Sequence, residues 1–274
     1  METEVVTIYV VCDEVLKAIG FEDDHQVTMT TAEVIAFAII GGKFCGGNHQ
    51  LTRHISRLGG YFPRILSHSR INRRLHRISW WVWMAIFRLL AMVYREGNTS
   101  TEFAVDSFPV ACCEKSRIDR RKLLTGKQFI GYAPSKKRHF CGVKVHMIVT
   151  IEGKPVELVI APASLNDLGI LWGMELQLPE GSRLYADGAY NSYDLEDLLS
   201  QDNGIQLLAR RRLNSRRSRP AEQERGISSR RQIVETAFSC ITRLLPRSIR
   251  ARISRGFVIR VMSAILAYSI GFLT

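Results

Sequence analysis

The chain has 274 residues, and 46% of them are hydrophobic, which is enough for one large domain or for a large and a small one. Lysine and arginine together number 38 against 26 acidic residues, so the net charge is +12 and the pI is about 9.7. This basic excess favours a polyanionic partner, a nucleic acid or a membrane surface, and carries no information about the fold.

Neither a secretory signal nor a membrane span is expected from the sequence. Residues 1–11 lack a basic start and contain Glu2 and Glu4. The longest apolar stretches, 79–94 and 261–273, are shorter than the roughly 20 residues that a membrane helix needs, so we expect them to be buried helices. The six cysteines show no C-x-x-C spacing, which favours reduced thiols in a cytoplasm and argues against a zinc site.

Helical patterns fill the first predicted domain, residues 1–97, which ends at a Gly-Asn-Thr-Ser stretch. Apolar periodicity predicts a short helix over 49–58 and a long helix over 69–94, with Ser69 as its N-cap. A glycine-containing turn between two such helices is typical of a helix-turn-helix arrangement that binds DNA, whereas a small helical bundle with a basic surface is the alternative. The predicted DNA contacts in the first turns of the long helix are Arg70, Arg73, Arg74 and Arg77.

Strand patterns dominate the second predicted domain, residues 98–274. Three strands precede alternating helices and strands, in the order βββαβαβα. This order predicts an α/β fold with a mixed sheet covered on both faces, as in the RNase H-like fold. The predicted strands are 103–110, 140–151, 156–162, 184–186 and 205–209.

Three acids lie where such a sheet brings residues together. Asp106 ends one apolar run, Asp187 follows another and precedes a glycine, and Glu235 lies within a helical pattern. Two strand ends and one helix can converge on a pair of divalent cations, and Mg²⁺ prefers carboxylate oxygens. Two such ions hold the attacking and leaving oxygens of a phosphoryl transfer. Taken singly, Asp106 before Pro109 and Asp187 before Gly188 are also typical of turns.

Two further basic segments are predicted DNA contacts. One lies between the fifth predicted strand and the Glu235 helix, and the other is the segment 115–138. Arginine pairs bidentately with phosphate and so binds the DNA backbone without recognising sequence, although a solvated charged loop is the alternative. The residues concerned are Lys136, Lys137, Arg138, Arg210, Arg211, Arg212, Arg216, Arg217, Arg219 and Arg231.

Three other polar residues receive structural interpretations, each with an alternative. Asn166 and Asp167 precede a predicted helix, and we expect them to cap it; the alternative is that Asp167 is a neighbour of the metal site. His146 alternates within a predicted strand, and we expect it to be an ordinary sheet residue; the alternative is that it points to the site.

Several motifs together resemble the DDE transposases of bacterial insertion sequences, in particular the short single-frame kind that pairs a helical amino-terminal region with an RNase H-like core. The resemblance covers nearly the whole chain and depends on the motifs MTTAEVI, SRINRRLHRI, DSFPV, SKKRHFCGVKVHMIVT, LYADGAYN and ETAFSCITRLLPRSI. It implies that Asp106, Asp187 and Glu235 are the three metal-binding acids. Many relatives carry Y-x-x-R-x-x-x-E, and here Arg231 fits the arginine while Ser228 replaces the tyrosine.

The resemblance also implies an activity. A transposase of this kind cleaves DNA at element ends and transfers the strand into target DNA with two Mg²⁺ ions, for which Mn²⁺ can substitute. Its partners are the double-stranded terminal repeats and target DNA, held by a homodimer or a larger assembly, with no membrane, in the bacterial cytoplasm near the nucleoid. An RNase H-like nuclease without strand transfer and a non-catalytic DNA-binding protein derived from a transposase are the alternatives.

Overall fold

The protein is a mixed α/β molecule, as its sequence predicts. The computed structural model describes residues 1–133, 137–211 and 215–274. Within these residues, nine α-helices and six β-strands are present, with helices at both ends of the chain and a mixed sheet between them. The part that carries the three acids is therefore a sheet with helices, and the part before it is helical.

The chain divides into two compact units. One consists of Met1–Leu90 together with Cys240–Thr274, and the other of Ala91–Ser239. The sequence predicts domains of 1–97 and 98–274, a division that stays a prediction. The compact units differ from it in grouping the carboxy-terminal helix with the amino-terminal helices.

The helical unit is built around α2, which is buried along nearly its whole length and contacts α1, α3, α4 and α9. Thr30 caps α2, and its side chain and that of Glu33 each accept a hydrogen bond from the other's backbone amide. The first five helices are α1 (Glu2–Ala18), α2 (Thr31–Cys45), α3 (His49–Leu58), α4 (His68–Arg77) and α5 (Trp80–Glu96).

The long helix that the sequence predicts over 69–94 is two helices. α4 ends at Ile78, whose φ of −61° and ψ of 121° are extended, and α5 begins two residues later. Ser67, not Ser69, is the N-cap of α4. The break carries no proline or glycine; Ile78 is buried at 7% exposure, and Ser79, a residue type favoured at helix starts, directly precedes α5.

The last helical segment, Ser254–Leu273, is long and apolar enough to cross a membrane, with a mean hydropathy of 1.8. Of the most apolar part of this segment, 61% is buried inside the protein. It contains α9 (Ser254–Ile270), which contacts α1, α2 and α4. A core helix of a soluble protein passes the same length and composition test, and this burial fits the expectation of a buried helix.

A mixed sheet forms the centre of the second unit. Along it the strands lie in the order β2-β3-β1-β5-β6, and β4 pairs with β3. β1 and β3 are antiparallel, as are β3 and β4, whereas β1, β5 and β6 are parallel. The short strand β2 lies in a segment that the sequence predicts as a basic loop. The strands are β1 (Glu102–Glu114), β2 (Ile130–Ala133), β3 (Arg138–Thr150), β4 (Pro155–Pro162), β5 (Arg183–Ala186) and β6 (Gln206–Ala209).

Three helices follow the antiparallel strands. α6 (Asp167–Trp172) precedes β5, α7 (Tyr193–Asn203) precedes β6, and α8 (Ala221–Leu244) comes after β6. Strands joined through a helix can run parallel, which explains why β5 and β6 continue the sheet in the direction of β1. The carboxyl ends of these strands therefore lie at one edge of the sheet.

Candidate active site

The register of two parallel strands brings Asp106 and Asp187 together. Val105 of β1 is paired with Ala186 of β5, and the residues that follow them in sequence are Asp106 and Asp187. Neighbouring strands are about 4.8 Å apart, which makes these aspartates lateral neighbours. The residues before them, such as Val105 and Ala186, are 0% exposed, and the acids themselves are half-buried. Asp187 directly follows the end of β5, whereas Asp106 lies within β1, one residue beyond the last pair that β1 forms with β5.

Helix α8 carries the third acid. Its buried face includes Ile227, Val234 and Phe238, and the Phe238 ring lies 4.6 Å from the ring of Phe108 on β1. This contact fixes α8 against the central strand, because aromatic pairs at such distances pack closely. Glu235 follows Val234 and is about half exposed, at 51%. The helix therefore presents Glu235 beside the sheet edge and leaves it open to solvent.

A single arginine joins two of the acids. Arg231 lies one helical turn before Glu235, and its Nη2 is 2.7 Å from Glu235 Oε1. Its Nη1 donates to Asp106 Oδ2 at 2.7 Å. Within the described residues, the oxygens of the three acids are not all within 4.8 Å of one another. The guanidinium occupies the space between Asp106 and Glu235 and neutralises part of their charge.

The environment of Asp106 favours a positive ligand. Burial is the largest cause that raises the pKa of Asp106 from 3.8 to about 6. The charges of Asp187 and Asp167 raise this pKa further, whereas the Ser107 amide and Arg231 lower it. Carboxylates that repel one another are stabilised as anions by a bound cation. The donor set, three carboxylates with one of them hard to ionise, fits a hard divalent ion such as Mg²⁺.

A fourth acid lies close to this centre. Asn166 caps α6, as expected, but Asp167 has other partners. Asp167 Oδ1 accepts from Ser107 Oγ at 3.0 Å and from Lys144 Nζ at 2.9 Å. Because its charge also acts on Asp106, the interpretation of Asp167 as a cap was incomplete. A signal was present in the sequence, since Lys144 and His146 alternate on one face of the predicted strand that pairs with Asp106.

Two buried side chains complete this polar cluster. His146 is 1% exposed, and its Nε2 lies 3.9 Å from Asp167 Oδ1. Burial lowers the pKa of His146 to about 4, so the ring is neutral at physiological pH. Burial likewise raises the pKa of Tyr190 above its ordinary range, and the charges of Asp167 and Asp106 act in the same direction. Each is a buried polar side chain next to the acids, and sequence reasoning missed Tyr190.

Helix α4 presents three of its four predicted arginines to solvent. Arg70, Arg73 and Arg77 are exposed, and in the described part of the chain they have no acidic partner. Arg74 instead donates to the Met29 carbonyl at 2.8 Å and to Asp23 Oδ1 at 3.2 Å. It therefore connects α4 to the start of α2. A cavity of about 780 Å³ beside α4 has further basic lining residues, namely His49, His68, His76, Arg250, Arg252 and Arg260.

The arginines of the tract before α8 differ in burial and in hydrogen-bond partners, which the sequence does not indicate. Arg211 is 4% exposed, contacts Glu196 and donates to Asn191 Oδ1 at 2.7 Å. Arg219 Nη1 donates to the Ala209 carbonyl at 2.7 Å. Arg211 and Arg219 are thus held by the protein itself.

The remaining members of the tract are closer to solvent. Arg217 forms two bonds to Asp197, at 2.6 and 2.7 Å, and lies over the Tyr193 ring at 4.7 Å. Arg210 and Arg216 are exposed. Arg212 lies outside the described residues. These differences divide the tract into buried structural arginines and exposed ones.

The basic segment before β3 is described in part. Lys137 is exposed and has a φ of 46°, and Arg138 at the start of β3 is exposed with its Nη1 2.8 Å from Glu114 Oε2. Lys136 lies outside the described residues. An exposed ion pair of this kind contributes little to stability, so Arg138 can exchange its acid for a phosphate at low cost.

Comparison with known proteins identifies the family. No curated protein and no solved structure matches the chain. Residues 96–246, more than half of the chain, match the family described as "Transposase DDE domain". The matched range contains Asp106, Asp187 and Glu235, the three acids at the edge of the sheet. The chain therefore belongs to the family of transposase DDE domains.

Proposed function

We propose that this transposase cleaves DNA at the ends of a bacterial insertion element and joins the 3′-hydroxyl to target DNA. The observation that carries the proposal is the convergence of Asp106 and Asp187, fixed by strand register, with Glu235, linked to Asp106 through Arg231. Family membership supports transposase function in general. The grouping of the carboxylates favours a metal-dependent phosphoryl-transfer site over a role in DNA binding alone.

The strand order supports an RNase H-like core. Without the short strand β2, the sheet runs β4-β3-β1-β5-β6, with three antiparallel strands followed by two parallel ones. An RNase H-like core with the βββαβαβα pattern would have this order, and the order therefore supports the proposal. In such a core, the first strand, the fourth strand and the last helix meet at one end of the sheet, and Asp106, Asp187 and Glu235 are in the corresponding elements.

Asp106, Asp187 and Glu235 would hold two Mg²⁺ ions, with Mn²⁺ as a substitute. When bound, such ions lower the pKa of the attacking water or hydroxyl and stabilise the leaving oxygen. The carboxylates supply fixed negative charge for this purpose, and Asp167 adds a further negative charge nearby. The protein contributes position and charge, so no covalent intermediate with the enzyme is required.

Arg231 has a defined role in this proposal. Its guanidinium contacts Asp106 and Glu235, so these oxygens become available as metal ligands when the guanidinium leaves them. A guanidinium released beside the centre is suited to bind a DNA phosphate in two-point contact. Arg231 is therefore proposed as a counter-charge without metal and as a phosphate contact in the DNA complex.

Contact with DNA away from the acids is assigned to exposed basic residues. Arg70, Arg73 and Arg77 on α4 are proposed to bind element ends in a helix-turn-helix-like manner. Lys137 and Arg138 are proposed to contact phosphates. Two element ends must be held together, which favours a homodimer or larger assembly. A DNA substrate also favours a location at the bacterial nucleoid.

A joining assay tests the proposal. Purified protein is incubated with duplexes that carry the ends of its element, a supercoiled target and Mg²⁺. Cleaved ends covalently joined to the target support the proposal. Cleavage without joined product would favour an RNase H-like nuclease, and binding without either product would favour a non-catalytic DNA-binding protein.

A further inference from the structure

Three cysteine thiols form a cluster away from the acids. The Sγ atoms of Cys112, Cys113 and Cys141 all lie within 4.8 Å of one another. Cys141 is buried, whereas Cys112 and Cys113 are partly exposed, and all three are free thiols. Three sulfurs on two strands at this spacing form a set of soft donor atoms that solvent can reach.

An irregularity in β1 explains how neighbouring cysteines face the same partner. Ala111 pairs with Gly142 and Cys113 with Cys141, so the register shifts and Cys112 is the extra residue. In a β-bulge, two residues on one strand oppose a single residue on the other. Without the bulge, side chains of adjacent residues would point to opposite faces of the sheet. The bulge therefore places Cys112 and Cys113 opposite the same thiol.

The loop after β1 covers the cluster. The Leu123 carbonyl lies 4.0 Å from Cys112 Sγ, and the Leu124 carbonyl accepts from Cys141 Sγ at 3.4 Å. Leu124 is buried and has a φ of 52°, a left-handed conformation that is rare for a branched residue.

Arg121 holds the covering loop in this shape. Its Nε donates to the Leu124 carbonyl at 3.0 Å, and its two terminal nitrogens donate to the carbonyls of Ile118 and Thr125, each at 2.6 Å. The loop, the bulge and the thiols thus form one local structure. Burial raises the pKa of the Cys141 thiol, and the positive charge of Arg121 nearby partly opposes this rise.

We propose that Cys112, Cys113 and Cys141 bind one Zn²⁺ ion through three thiolates. Zinc is bound by thiolate sulfur at about 2.3 Å in a tetrahedral arrangement, so its sulfur ligands are roughly 3.8 Å apart. Because the three sulfurs already lie within 4.8 Å of one another, a contraction of at most about 1 Å brings the cluster to that spacing. The partial exposure of Cys112 and Cys113 provides a route for the ion and leaves the fourth position to water. The proposal differs from the expectation of no zinc site, which considered cysteine spacing along the sequence and not a cluster across two strands.

The ion would connect three segments that are distant in sequence or differently structured. It joins the bulge of β1, the strand β3 and, through the carbonyls beside the thiols, the basic loop that follows β1. Binding releases the thiol protons to solvent, so the affinity for zinc increases with pH. The site is separate from the acids and does not depend on the proposed function.

Cobalt provides a direct probe of the site. Reduced, metal-free protein is titrated with Co²⁺ in excess Mg²⁺, which occupies carboxylate sites and does not compete for thiolates. We expect a thiolate-to-cobalt charge-transfer absorption with one Co²⁺ per chain, abolished when Zn²⁺ is added. Cys113→Ser and Cys141→Ser should weaken the binding at least tenfold. Cys240→Ser, outside the cluster, is the matched control and should bind as the unaltered protein does.

Alkylation of the intact protein gives an independent readout. Zn²⁺ should protect the partly exposed Cys112 and Cys113 from alkylation, and a chelator should restore their reactivity, whereas the partly exposed Cys240 should react equally with and without zinc. The absence of a charge-transfer band, or an undiminished affinity for Co²⁺ in Cys141→Ser protein with a native circular dichroism spectrum, would overturn the proposal. Protection that a reductant removes and a chelator does not would show a disulfide in place of a metal site and would overturn it as well.

Discussion

The arginines around the acids and the arginines of α4 have opposite surroundings. Arg231 and Arg211 are bound to carboxylates of the protein and are largely shielded from water. Arg70, Arg73 and Arg77 are exposed, and within the described residues none has an acidic partner. Both sets look alike in the sequence, as clusters of basic residues before or within a helix. Their partners in the structure separate them.

The difference teaches how a basic cluster divides between stability and binding. A buried arginine is needed as the counter-charge of a buried acid, and its removal leaves that acid unpaired. An exposed arginine does not neutralise a buried acid, so its guanidinium is free to bind a DNA phosphate. We therefore expect changes in the first set to affect metal binding and folding, and changes in the second set to affect DNA affinity alone.

The largest effect is expected from the acids themselves. Asp106→Asn, Asp187→Asn and Glu235→Gln each remove charge that the proposed cations require, at a cost of several kcal/mol in transition-state stabilisation. We expect cleavage of element ends to fall by at least about 1,000-fold, measured under single turnover. Asp202→Asn, an exposed acid on α7, is the control and should cleave normally. A near-normal rate in any of the three variants would remove that acid from the site.

The next effect concerns the buried arginine of the tract. Arg211→Ala leaves Glu196, itself 10% exposed, without its cationic partner. We expect the free energy of unfolding to fall by about 3 kcal/mol, because an unpaired buried charge is strongly destabilising. Denaturant titration measures this change. Arg210→Ala, the exposed neighbour, should leave stability within about 0.5 kcal/mol of the original value, and an equal loss in both variants would contradict the division of the tract.

How much of this site the sequence predicts can be judged from particular residues. The placement of the acids was predictable because two apolar runs end in Asp106 and Asp187, and Glu235 lies in a helical pattern; their role as metal ligands stays a prediction. The contact of Arg231 with both Asp106 and Glu235 was not predictable, because Asp106 is 125 residues away from Arg231 in sequence. The cluster of Cys112, Cys113 and Cys141 depends on a bulge and a cross-strand register, neither of which leaves a spacing motif.

Prediction of the fold from the sequence was likewise incomplete. Alternating apolar residues predicted β1, β3, β4 and the order of elements that follows. The short strand β2 was missed, because its four residues include Gly131 and lie within a basic segment. The end of α4 before Ile78 was missed because no proline or glycine marks it, although Ile78 is buried and Ser79 precedes α5. Local pattern predicts elements well, whereas tertiary contacts decide where several of them stop.

A smaller effect is expected from the exposed arginines of α4. Replacement of Arg70, Arg73 and Arg77 by alanine should weaken binding to element ends and reduce the dependence of log K on log salt concentration. Each lost phosphate contact lowers that slope by about 0.9, so the three together give up to about 3 units. Fluorescence anisotropy at several salt concentrations measures it. An unchanged slope would leave α4 as part of a structural bundle.

Arg74 provides the control for α4. Because it donates to Met29 and Asp23, Arg74→Ala should lower the stability of the helical unit and leave the salt slope unchanged. A reduced slope with normal stability would instead make Arg74 a phosphate contact and would weaken the contrast between the two sets.

The smallest effect is expected from the exposed residues of the tract. Arg210→Ala with Arg216→Ala should reduce DNA affinity by roughly fivefold, since two phosphate contacts near the acids are lost while the buried arginines remain. The reduction should be the same for element ends and for random duplexes, because phosphate contacts carry no base information. Filter binding of both duplexes measures it, and a loss confined to element ends would show that these residues recognise sequence.

Titration with Mn²⁺, followed by electron paramagnetic resonance, tests the central claim most directly. We predict that the unaltered protein binds Mn²⁺ in competition with Mg²⁺ and that the Asp106→Asn and Asp187→Asn variants lose this binding. The Arg231→Gln variant should bind the ion more tightly, because no guanidinium then pairs with Asp106 and Glu235. Equal Mn²⁺ binding by the unaltered protein and by the Asp106→Asn and Asp187→Asn variants would contradict it, since the acids at the edge of the sheet would then not be the metal site.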